Sequence, residues 1–102
     1  MGIAEIREEI ISRKIIYYVE ENRNISFPMK SFMLMLARSN PFMEATAMSS
    51  RNFSPEEFRI FLEKTIFSQL KGNESEIASQ SEERFEEFRE QSIKWINATH
   101  SK

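Results

Sequence analysis

Turn-forming residues are scarce in this chain, and that limits its fold more than any motif does. Gly occurs twice in 102 residues, at Gly2 and Gly72, and all sixteen acidic residues are Glu. A sheet built on hairpins needs Gly, Asn or Asp at its tight turns, whereas Glu is a good helix former. The expected class is therefore all-α. One domain over residues 1–102 is as much as this length supports. Hydrophobic residues at 40% and charged residues at 29% are the balance of a globular chain, not a disordered one. No Cys is present, so neither disulfides nor metal-binding thiolates enter the argument.

Apolar periodicity places four main helices. The first covers residues 3–21, with Ile3, Ile6, Ile10 and Tyr17 on one stripe and Ile11, Ile15 and Tyr18 beside it. The second covers residues 28–39, with Ser26 as its expected cap and Pro28 in its first turn. A short helical turn at 41–48, capped by Asn40, follows the Asn40-Pro41 break. The third main helix opens at Ser54-Pro55-Glu56-Glu57, which offers an N-cap, a first-turn Pro and a Glu at N3. Phe53 and Phe58 are placed for a hydrophobic staple across that start. The helix runs to about Leu70, and Gly72 suits a left-handed residue beyond its end. The last helix is read as unbroken over residues 74–99. At 1.5 Å per residue it spans roughly 39 Å, against ~26 Å for the helix before it. Short links between these helices favour a bundle of antiparallel neighbours.

Phe27 to Met48, FPMKSFMLMLARSNPFMEATAM, is the most distinctive stretch. It holds five of the six methionines and three of the nine phenylalanines, with little charge. Met is unbranched and polarizable, so such a surface re-packs around different shapes. A helix apolar on all sides is either central core or a contact face. The candidate interface is Met29, Phe32, Met33, Met35, Leu36, Phe42, Met43, Ile60, Phe67 and Trp95. Three features call for more partner surface than one chain offers, and so for a homodimer. They are the overhanging last helix, the off-face Ile60 and Phe67, and the all-round apolar second helix.

Catalytic and ligand-binding chemistry finds little footing. His100 is the single histidine, two residues before Lys102, and Asn97 stands where a Glu-x-x-His metal motif has Glu. The Glu-rich run EERFEEFRE at 82–90 reads as the solvated face of the last helix. No G-x-S-x-G and no Gly-rich phosphate loop occurs. Lys14, Tyr17 and Tyr18 form the one polar-aromatic cluster an unusual enzyme would use. No catalytic, cofactor or metal residue is assigned. A DNA-binding regulator would have to assemble its basic surface from Lys30, Arg38 and Arg51, and the segment after the Asn40-Pro41 break has no Lys or Arg to read bases. Nucleic acid is therefore not the expected partner.

Four N-x-[ST] triplets begin at Asn24, Asn52, Asn73 and Asn97, where six asparagines would give about one. Capping at helix ends accounts for three of them. The first ten residues carry charge every few positions, which fits neither a signal peptide nor, with Ile6 in the Ser/Thr position, myristoylation. No apolar run reaches a membrane-span length. The expectation is a cytoplasmic, non-enzymatic interaction or regulatory module that binds another protein through the Met/Phe-rich face.

Overall fold

A computed structural model describes residues 2–49 and 52–100, the side chains of 3–5 and 100 excepted. His100 as a ligand, Arg51 in the basic trio and Ile3 in the first stripe thus lie outside the described side chains. Among the described residues the fold is all helical, with six α-helices. They are α1 (Ile3–Glu21), α2 (Phe27–Ala37), α3 (Asn40–Ser49), α4 (Pro55–Phe61), α5 (Glu74–Glu83) and α6 (Phe85–His100). None of them is long and apolar enough to cross a membrane.

The centre of the bundle is α2 followed by α3. α1 packs on both; α5 lies on α2, and α6 lies on α3. α2 is therefore covered from several sides, which is why its sequence is apolar nearly all round. It buries Pro28, Met29, Phe32, Met33, Leu36 and Ala37. Ser26 holds the N-cap position with its backbone carbonyl, which accepts from Lys30 N–H, and its side chain makes no cap bond. The turn expected at 41–48 is a ten-residue helix that buries Phe42, Met43, Thr46 and Ala47. Buried Thr46 satisfies its hydroxyl by donating to the Phe42 carbonyl at 2.7 Å, so it costs the core no unpaired polar atom.

Phe32 anchors one aromatic group, meeting Phe67, Phe85 and Phe88 edge to face at 5.6, 5.6 and 6.3 Å. Phe42, Phe53 and Phe58 form another, and Phe61 stacks on Trp95 at 5.0 Å. These are the favoured offset and T-shaped geometries of aromatic pairs. The staple expected between Phe53 and Phe58 is present, with both rings buried 5.7 Å apart. Ser54 Oγ accepts from Glu57 N–H at 3.2 Å. A full reciprocal capping box opens α5, where Asn73 and Glu76 bond each other's backbone N–H at 2.8 Å.

Two expectations need correction. The helix read as 54–70 is regular only to Phe61; it continues as a π-helical stretch, Leu62–Ile66, and a 3₁₀ turn, Phe67–Gln69. Phe58, Leu62, Ile66 and Leu70 are all buried, and they recur every four residues. In a straight α-helix each such step rotates by about 40°, so the row would leave the core. The wider π turns hold it there. The helix read as 74–99 breaks at Arg84, where φ is −102° and ψ 24°. Its halves serve different neighbours, α5 on α2 and α6 on α3. The overhang that argued for extra partner surface disappears with that break.

Candidate interaction surface

Most of the Met/Phe-rich face is closed within the chain itself. Met29, Phe32, Met33, Leu36, Phe42 and Met43 are buried. Met35 is half-buried, and so are Phe67 and Trp95, whose rings pack against Phe32 and against Phe58 and Phe61. Ile60 alone of the ten candidates counts as exposed. Of the two roles the segment admitted, core is the one the fold realises for those six residues.

The open apolar surface lies instead on α1. Its core side is Ile11, Ile15 and Val19, each nearly inaccessible. Of the two stripes read side by side, the one with Ile6, Ile10 and Tyr17 faces out: these are 46%, 52% and 66% exposed. At 100° per residue these three fall within about 40° of one another, some 160° from the core stripe. That choice has a local cause. Ser12 Oγ donates to the Ala37 carbonyl at 3.0 Å, tying the side of α1 next to Ile11 and Ile15 to the end of α2. Arg13 and Glu20 also interrupt the outer stripe, whereas Ile11, Ile15 and Val19 follow one another without a charge among them. That interruption was the sequence signal for the outward side.

Charges border the ridge on both sides. Glu9 accepts from Arg13 Nη2 at 2.8 Å along one flank. Arg7, Lys14 and Glu21 follow the other. Outside α1, Phe27 and Met48 are further exposed apolar side chains, on α2 and α3. Comparisons with protein-family models, curated proteins and solved structures find no match. Function therefore has to be argued from this surface alone.

The chemical candidates are scattered by the fold. Tyr18 lies about 100° around α1 from Tyr17: its hydroxyl accepts from Arg59 Nε at 2.6 Å, and Arg59 also pairs with Glu63. The Tyr18 bond, more than Glu63, holds the guanidinium pKa above its ordinary value. Of the Lys14, Tyr17 and Tyr18 cluster, Tyr18 is thus engaged with α4. Among the described residues no three acidic or histidine side chains converge as a metal would need. The exposed residues of α3 are Asn40, Pro41, Glu44 and Met48, with no cation for a phosphate. Asn24, Asn52, Asn73 and Asn97 are all exposed. Asn73 is a helix cap, and Asn97 Oδ1 accepts from Ser49 Oγ at 2.7 Å.

Proposed function

We propose that this chain is a non-enzymatic, cytoplasmic protein–protein interaction module whose contact face is the outer ridge of α1. The bundle serves as a scaffold: α2 and α3 hold α1 by one side and leave the other to meet a partner helix. One observation carries the reading. Ile6, Ile10 and Tyr17 are exposed together on one line of a 19-residue helix. Single exposed apolar residues are ordinary, but several aligned on one helix side with a charged border are the usual form of a helix-docking surface.

The test is affinity purification of the tagged chain from its native cell, comparing the wild type with Ile10→Glu and with Met48→Glu. Met48 is 80% exposed and on another helix, so it serves as a surface control. Partners lost with Ile10→Glu and kept with Met48→Glu support the ridge. Full retention of every partner by Ile10→Glu, with helicity unchanged by circular dichroism, removes it.

A further inference from the structure

We infer that the helix received by the α1 ridge is α1 of a second copy, aligned parallel and in register about a two-fold axis. This rests on the ridge being an interaction face and names its occupant. The argument is one of register. Ile6, Ile10, Arg13, Tyr17 and Glu20 follow the alternating 4-3 spacing of a coiled-coil seam, placing Ile10 and Tyr17 at a and Ile6, Arg13 and Glu20 at d. Glu9 then falls at g, and Arg7, Lys14 and Glu21 at e.

In the parallel pair each position meets its own copy. Ile6, Ile10 and Tyr17 form three apolar layers, and Glu9 of each chain faces Lys14 of the other, giving two ion pairs across the seam. The costs are Arg13 beside Arg13, relieved by the Glu9 carboxylate already 2.8 Å from each guanidinium, and Glu20 beside Glu20, which are exposed at the end of the seam and screened by solvent. Antiparallel pairing with full overlap sets Ile10 against Arg13 and brings Arg7 near Lys14, two like charges. Antiparallel pairing that matches Ile6 with Ile10 leaves Tyr17 beyond the end of the contact. The parallel register alone sets each of the three exposed apolar side chains against an apolar partner.

The area sets the strength. At 46%, 52% and 66% exposure the three side chains offer roughly 350 Å² per copy. With the apolar stems of Arg13 and Lys14 the pair buries about 1,000 Å² in total, the lower edge of specific interfaces. The dimer is therefore weak and concentration-dependent.

Sedimentation equilibrium of the full chain from ~5 to ~500 μM reads it directly. The apparent mass rises from 12.1 kDa toward twice that value. Ile10→Glu weakens association at least ~100-fold, and Lys14→Glu about tenfold. Glu9→Lys combined with Lys14→Glu restores it only in part, because the cross-seam pair is re-formed with its signs exchanged while Arg13 loses its Glu9 partner; a double variant no tighter than Lys14→Glu alone overturns the Glu9–Lys14 pairing. The chain has no Cys, so Tyr17→Cys reports orientation cleanly. On mild oxidation it forms a symmetric disulfide dimer, and a mixture of Ile6→Cys and Tyr17→Cys chains gives no preferred mixed product. A preferred mixed product overturns the parallel arrangement while leaving a self-associating ridge. A mass of 12.1 kDa at every concentration overturns the second copy as occupant. The purification with Ile10→Glu still decides separately whether the ridge binds a different protein.

Discussion

Met33→Glu is the sharpest test of how the Met/Phe-rich segment is used. Met33 is 0% exposed. Losing that burial removes about 1.5–3 kcal/mol. The new carboxyl then sits where no partner awaits it, and burial raises a carboxyl pKa by up to ~3–5 units. At pH 7 the folded chain must keep it protonated. Taking the unfolded value as about 4.3, that adds ~1.4 kcal/mol per pH unit over nearly three units, or about 4 kcal/mol. The combined loss of about 6 kcal/mol rivals the total stability of a small domain.

The pH dependence identifies the cause. The folded-state pKa is raised, so the folded form binds more protons than the unfolded form above pH ~4.3. Stability is highest at low pH and falls as pH rises. Met33→Gln supplies a reference with the same shape and no charge change. Urea denaturation of both variants at pH 4.5, 5.5 and 7, at micromolar protein, should show a gap widening by ~1.4 kcal/mol per unit. Ile10→Glu, at a position 52% exposed, should stay within ~0.5 kcal/mol of the wild type. A flat gap with Met33→Glu within ~1 kcal/mol of the wild type would show that Met33 is not core, and the ridge would lose its standing as the open apolar surface.

Three further perturbations probe what holds the bundle. Gly72 has φ +118°, and a Cβ there would lie 3.0 Å from Glu76 Cβ and Cδ and closer still to its carboxylate, so Gly72→Ala should cost about 2–3 kcal/mol in urea melts from backbone strain and loss of the α5 capping box; a cost under ~0.5 kcal/mol refutes it. Tyr18→Phe removes the acceptor for Arg59 Nε and should lower stability by about 1 kcal/mol, with the loss absent in an Arg59→Met background. Arg84 bonds Glu87 and holds its carboxylate pKa below the usual 4.5; the pair's contribution is present above that value and lost as pH falls through the lowered pKa, so any gap in melting temperature between wild type and Glu87→Gln at pH 7 should narrow as pH is lowered below 4.5, and a gap constant throughout the acid range refutes it.

How much of this was legible depended on whether the deciding interaction was local. The cap at Ser54, the Phe53–Phe58 staple and the positive φ of Gly72 are each set within five residues, and each was readable. The break at Arg84 was not. Residues 74–99 are rich in helix formers on both sides of it, and only the need to lie on α2 and then on α3 divides them. The π-helical stretch falls between these cases. The four-residue recurrence of Phe58, Leu62, Ile66 and Leu70 is visible in sequence, and along a straight α-helix it drifts by about 120°.

The face chosen by α1 is the feature with a functional consequence. Ile6, Ile10 and Tyr17 on one side and Ile11, Ile15 and Val19 on the other lie far enough apart that no single neighbour covers both. Opposed stripes also cancel in any measure of one-sidedness, so amphipathicity offers no direction. Direction comes from what separates the apolar residues. A stripe broken by Arg13 and Glu20 can be buried only where those charges find partners or reach water. A bundle interior supplies neither, while a thin seam between two helices leaves both at open edges, with Glu9 of the same helix beside Arg13. The same two residues that keep this stripe out of the core therefore limit what can cover it: a single helix that leaves them access to solvent along the edges, at modest affinity.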